Sequence, residues 1–100
     1  MKLTRITFLL LILLAAFQTV FAQSEKPLAI VMTANGPIMP PMLEYFERGV
    51  KTAEQRNAEV LIIQLNTPGG SVETMLEIIQ TMRASEVPVV VYVSPNDAIA

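Results

Sequence analysis

Apolar and polar positions along this chain alternate between two periods. Leu28 to Thr33 (LAIVMT) is a short apolar run rich in β-forming residues and reads as a buried strand. Ala34-Asn35-Gly36-Pro37 is turn chemistry. A helix is expected from about Pro41, because proline is tolerated in a first helical turn. There Leu43, Phe46, Val50 and Ala53 recur on one helical face, and Asn57 is the expected stop. Val60 to Leu65 (VLIIQL) is a second strand. Its nearly continuous apolar character predicts burial on both faces, as in a parallel sheet. Val72, Met75, Leu76, Ile79 and Met82 then predict an amphipathic helix running to Ala84. Ser71 can cap it, and Glu73 falls in its first turn, where an acid suits the helix dipole. Pro88 leads into a third apolar strand, Val89 to Val93 (VVVYV), expected to be buried.

Strand, helix, strand, helix, strand implies an α/β layer with parallel strands and right-handed crossovers. In such sheets ligands and chemistry collect beyond the carboxyl ends of the strands. The Pro68-Gly69-Gly70 turn and the segment Ser94 to Ala100 both follow strand carboxyl ends here, and they can converge on one crevice. Gly49 interrupts the first crossover helix, at roughly 1 kcal/mol relative to alanine. Close packing against the sheet and simple tolerance both account for it.

The N-terminus has a different character. Lys2 and Arg5 precede an almost wholly apolar run, Ile6 to Phe17, and Val20-Phe21-Ala22 leads into the polar Gln23-Ser24-Glu25-Lys26. That is the pattern of a secretory signal peptide over residues 1–22, cut after Ala22. An uncleaved anchor is the alternative, but Ile6 to Ala22 is short against the roughly 20 residues a span needs. Either way the rest of the chain, residues 23–100, is expected on the extracytoplasmic face of the membrane or in the periplasm.

Charge and composition then remove several classes. From Gln23 onward the chain has five basic and nine acidic residues, a net charge of −4, with no basic run. Nucleic acid is not an expected partner. The absence of cysteine rules out a disulfide framework, and the absence of histidine removes the usual zinc constellations and any serine–histidine pair. No metal and no cofactor is expected. The unfinished sheet, ending at Asp97-Ala98-Ile99-Ala100 without a cap or polar tail, reads as the N-terminal piece of a longer protein.

The stretch Leu65-Asn66-Thr67-Pro68-Gly69-Gly70-Ser71-Val72 is the one place where chemistry gathers. Pro68-Gly69-Gly70 has two readings. One is a tight turn joining strand to helix, using glycine for its backbone freedom. The other is an oxyanion hole: bare N–H groups at a helix start, aimed at a developing negative charge. A phosphate cradle is a weaker competitor, since neither the P-loop pattern nor the dinucleotide fingerprint is present. Asn66 and Thr67 read as turn formers that satisfy local backbone groups. Ser71 reads as a helix cap. The methionines read as core filler.

The run from Val60 through Asn66-Thr67-Pro68-Gly69-Gly70 to Val72 resembles the strand–turn–helix of Clp-protease-like serine peptidases, most closely the membrane-bound NfeD-type branch. The export signal, the strand soon after it and the strand Pro88-Val89-Val90-Val91-Tyr92-Val93 extend the resemblance over Leu28 to Ala100. It implies a Clp/crotonase-like fold, incomplete over these residues, and a serine–lysine dyad in which lysine is the general base without histidine. By the same resemblance Gly69 is the first candidate and Gly70 the second for the oxyanion donor. The backbone around Ser71 and Val72 would line the substrate, which can add as a strand. The nucleophile would follow the third strand, in the small-residue segment that begins at Ala98-Ile99-Ala100. It and the base would lie beyond Ala100.

The function this implies is an exported, membrane-associated serine endopeptidase acting on protein or peptide segments of apolar character, with these residues inactive alone. A homo-oligomer is compatible with that reading. A non-catalytic binding or scaffold protein on the same fold is the rival from another class. A crotonase-type acyl-CoA enzyme shares the oxyanion logic, but an export signal argues against cytosolic acyl-CoA chemistry.

Overall fold

The computed structural model of the chain describes residues 2–21, 26–96 and 98–99. Residues 22–25, where the expected cleavage point after Ala22 falls, lie outside the described residues, as do Asp97 and Ala100. The element order is α1 (Lys2–Phe21), β1 (Ala29–Asn35), α2 (Pro40–Gln55), β2 (Val60–Asn66), α3 (Val72–Ala84) and β3 (Val89–Val93). The apolar segment at the N-terminus is helical, and its side chains over residues 2–16 are exposed. Among the described residues no helix is long and apolar enough to cross a membrane.

The strands form a parallel sheet in the order β1-β2-β3, so the chain is α/β as its alternating pattern requires. Each crossover steps in the same direction. Right-handed connections therefore put α2 and α3 on one side of the sheet, where they pack on each other. The register explains the core. Met32, Ile63 and Val91 align across the three strands, as do Ala34, Leu65 and Val93. Met32, Ile63, Ala34 and Leu65 are buried together with Met42, Phe46, Val50 and Ala53 of α2. Phe46, Leu61 and Ile63 are the largest apolar side chains removed fully from water, each contributing about 1.5–3 kcal/mol by burial.

The alternate rows face the other way. Val31, Ile62 and Val90 align on the opposite side of the sheet, followed by Thr33, Gln64 and Tyr92. Among the described residues this side has no helix over it: Val31 is 62% exposed, Val90 50% and Tyr92 57%. The expectations that β2 is buried on both faces and that β3 is buried are thus corrected. Both helices lie on one side, and β3 is at the sheet edge with its residues largely open.

Local boundaries also differ in instructive ways. β1 continues through Ala34 and Asn35, which the turn chemistry had assigned to a loop, because Ala34 pairs with Leu65 and Asn35 with Asn66. Tertiary pairing overrides local turn propensity there. Helix α2 begins at Pro40 with Met39 at the N-cap, and Met42 rather than Leu43 turns fully inward. Arg56 ends the helix, and Asn57 takes the left-handed conformation at φ 50°, a position asparagine tolerates. In α3 the inward residues are Thr74 and Ile78. Val72, Met75 and Leu76, expected to face the core, are exposed, while Ile79 and Met82 are half-buried. An apolar cavity of about 240 Å³ between Phe46, Leu65, Ile78, Met82 and Val91 shows that α3 sits loosely over this end of the sheet.

Gly49 has a packing reason. A Cβ built on it would lie 2.4 Å from Met32 Sδ and 3.1 Å from its Cε, so any larger residue here must displace the Met32 thioether.

Candidate active site

β2 delivers the chain to Asn66 at the carboxyl end of the central strand. One backbone tether and one buried side chain define where it goes next. The Gly36 N–H donates to Asn66 O at 3.0 Å, holding the end of β1 beside the end of β2. Thr67 then turns inward and is 1% exposed, the most deeply buried polar side chain described. Its hydroxyl accepts from the Gly69 N–H at 3.1 Å and donates to Gly69 O at 3.3 Å. This small side-chain loop closes the turn around Pro68.

Gly69 has φ 104°, a conformation that L side chains rarely adopt. Gly70 forms a parallel bridge with Ile38. The Ile38 N–H donates to Gly69 O at 2.9 Å, and the Ser71 N–H donates to Ile38 O at 2.8 Å. A Cβ on Gly70 would sit 2.2 Å from Ile38 O and 2.6 Å from Ile38 N. Backbone meets backbone here, so the second glycine is fixed by contact and the first by conformation.

Each N–H of the turn can now be followed. Pro68 has none. That of Gly69 is taken by Thr67 and that of Ser71 by Ile38. In this parallel bridge Ile38 uses its own N–H and C=O, bonding to the residues on either side of Gly70, so the polar groups of Gly70 itself are turned outward. The Gly70 N–H therefore faces away from Ile38, and among the described residues it has no acceptor. Gly70 is exposed, and α3 starts two residues later. The positive end of that helix adds to the field at the free amide. Ser71 caps α3, its hydroxyl accepting from the Thr74 N–H at 3.3 Å, and Val72 is open to solvent in the first turn. Gly69, Gly70, Ser71 and Val72 thus form one continuous ledge at the sheet's carboxyl end.

The segment after β3 comes to the same place. The Ser94 N–H donates to Leu65 O at 2.9 Å, extending the β2–β3 ladder. Five residues on, the Ile99 N–H donates to Thr67 O at 2.8 Å. The segment after β3 thus returns to the chain at the start of the glycine turn, and Thr67 and Ile99 are where the two touch. Among the described residues no group of three or more histidine, cysteine, aspartate or glutamate side chains could hold a metal ion.

Residues 30–100 match the family described as NfeD1b, N-terminal domain. The chain belongs to that family. Among its relatives is the membrane-bound protease PH1510 of Pyrococcus horikoshii, 38% identical over 92 residues, which are 89% of this chain and 21% of the relative. The membrane protein NfeD1b of Bacillus subtilis (strain 168) is 27% identical over 73 residues, covering 73% of this chain and 17% of that protein. The chain spans about a fifth of the length of these curated relatives.

Solved structures match at the same level. A serine-to-alanine mutant of the 1510-N membrane-bound stomatin-specific protease superposes with a TM-score of 0.71 at 39% identity, covering 75% of this chain and 36% of that one. A lysine-to-alanine mutant of it in complex with a substrate peptide gives the same TM-score and identity and covers 34% of that chain.

For this NfeD1b-family chain, two participants in the site were not visible as such in the sequence. Ile38 acts only through its backbone, so no residue type marks it. Thr67 read as a turn former, which its hydroxyl contact to Gly69 matches. Its burial and its main-chain bond to Ile99 depend on the fold bringing the segment after β3 back.

Proposed function

We propose that this chain is the N-terminal part of an exported, membrane-associated serine endopeptidase, and that its Pro68-Gly69-Gly70 turn supplies one side of the oxyanion hole. The observation that carries the reading is the pairing of a free Gly70 N–H with a segment after β3 held against Thr67. A hydrolase acting on an acyl carbon needs a preorganised donor for the oxyanion and a nucleophile opposite it. The free amide fits the first. The arriving segment, continuing past Ile99, is where the second would come from. Gly70 is the donor this geometry favours, because the Gly69 N–H already has the Thr67 hydroxyl as its acceptor. The serine and its lysine base lie beyond Ala100 in this reading, and the Ser71–Val72 backbone lines the substrate.

The relatives support the class. One is a membrane-bound protease, and a solved relative specific for stomatin holds a substrate peptide. For this protein the corresponding substrate class is a protein segment of apolar character. Residues 1–22 serve as the export signal, placing the site on the extracytoplasmic side.

The test uses the full-length protein in detergent with a fluorogenic apolar peptide. Cleavage blocked by a serine-directed reagent, with the labelled serine mapping downstream of Ala100, is the expected result. Binding of the peptide without cleavage, and no labelled serine, favours the scaffold.

A further inference from the structure

Thr67 is an unusual turn residue. It is 1% exposed, yet both its side chain and its main chain make polar contacts to separate parts of the site. The hydroxyl takes the Gly69 N–H at 3.1 Å, and the carbonyl oxygen takes the Ile99 N–H at 2.8 Å. Among the described residues no other residue joins the glycine turn directly to the segment after β3. The opposite side of the turn is held by Ile38, whose backbone allows no Cβ at Gly70.

These contacts divide the labour within the turn. Without the Thr67 hydroxyl, Gly69 would present a second bare amide next to that of Gly70. The peptide between Pro68 and Gly69 could then rotate, since glycine at φ 104° has open space around it. With the hydroxyl in place, that amide is occupied, and the hydroxyl's own donation to Gly69 O at 3.3 Å, beside that of the Ile38 N–H at 2.9 Å, fixes the peptide that carries the Gly70 N–H. Gly70 is left as the donor with a defined direction.

We propose that Thr67 is a positioning residue of the peptidase: its hydroxyl takes the Gly69 amide out of use and aims the Gly70 amide, while its carbonyl sets the spacing from the turn to the segment that leads to the nucleophile. This rests on the peptidase reading above. It differs from a structural role because it concerns the direction of one donor rather than the presence of the fold. Donor direction affects the oxyanion more than the bound ground state, so the effect falls on kcat.

The experiment compares wild type, T67V and T67S in the full-length protein carrying isotope-labelled glycine. T67V keeps the shape and removes the hydroxyl, and T67S keeps the hydroxyl. In T67V the Gly69 amide is expected to exchange with solvent about tenfold faster, the factor appropriate to one net hydrogen bond. The Gly70 amide, already free, keeps its rate. The kcat for an apolar peptide falls by roughly 10–100-fold with KM within about threefold, the size of a displaced rather than a deleted donor. T67S restores both.

Unchanged Gly69 exchange in T67V overturns the proposal, as does a rise in KM at constant kcat or a failure of T67S to recover. If T67V does not fold, T67S decides alone: wild-type exchange and kcat support the role, and losses in both refute it. Failure of the peptidase reading is a separate observation, a wild type that neither cleaves peptide nor reacts with a serine-directed reagent, and it removes both claims. An active wild type with an indifferent T67V removes only the role of Thr67.

Discussion

Gly70 and Ile38 meet backbone to backbone. A methyl group on Gly70 would lie 2.2 Å from the Ile38 carbonyl oxygen, a distance no relaxed Cβ contact reaches. Ile38 is itself held by two hydrogen bonds to the residues flanking Gly70, so the loop after β1 cannot retreat without breaking them.

Gly70→Ala is therefore expected to destabilise the protein by about 1–3 kcal/mol, the cost of overpacking a site that cannot relax. Gly69→Ala is expected to cost a similar amount, about 1–3 kcal/mol, for a different reason. Its φ of 104° strains any L side chain although nothing lies within 4 Å. Urea unfolding of each variant measures both. A Gly69→Ala variant as stable as wild type would show that the turn changes conformation freely.

Ser71 separates a cap from a nucleophile. Ser71→Ala removes the acceptor for the Thr74 N–H and is expected to cost about 1 kcal/mol of stability. Peptide cleavage by the full-length variant should stay within about threefold of wild type, since a cap acts on the helix rather than on the acyl carbon. Complete loss of cleavage with an intact fold would make Ser71 part of the chemistry.

Gly49→Ala tests how close α2 comes to the sheet. In an exposed helix this change stabilises by about 1 kcal/mol. Here the new methyl group must displace the Met32 thioether, so the variant is expected to be neutral or destabilised. Shortening the neighbour, as Met32→Val, should recover part of the loss, and a double-mutant cycle in unfolding free energy reads a coupling of about 0.5–3 kcal/mol. Additive effects would remove the contact from the account.

The export reading is checked at the N-terminus of the protein recovered from cells. Cleavage after Ala22 leaves Gln23 as the first residue, and mass spectrometry reads it directly. Ala22→Arg should block the cut, because the position before the bond requires a small residue. A protein that keeps Met1 to Ala22 would make the segment an uncleaved anchor in place of a cleaved signal.

Much of this arrangement was legible in the sequence. The strand runs, the helix faces of Phe46, Val50 and Ala53, the Ser71 cap and the glycine turn follow from local periodicity and propensity. What was not legible depends on partners distant along the chain. Ala34 and Asn35 adjoin the Gly36-Pro37 turn signal, yet they are strand residues by pairing with Leu65 and Asn66. Val72 and Leu76 have the spacing of a core face, yet the helix is rotated so that Thr74 and Ile78 point inward. At the site, the two glycines were plain, but which amide is free was not. That depends on the Thr67 hydroxyl and the Ile38 backbone, one an ordinary turn residue and the other without a chemical signature.

In the proposed function the Gly70 amide faces the oxyanion of the tetrahedral intermediate formed when the serine attacks the acyl carbon. A structure of the full-length protein with a peptide boronate bound tests it most directly, because the boronate holds a tetrahedral oxygen where the oxyanion would form. The account predicts that oxygen about 2.7–3.1 Å from Gly70 N, with the Gly69 N–H still on Thr67. A boronate oxygen bound by Gly69 instead, or lying away from the Pro68-Gly69-Gly70 turn, would contradict it.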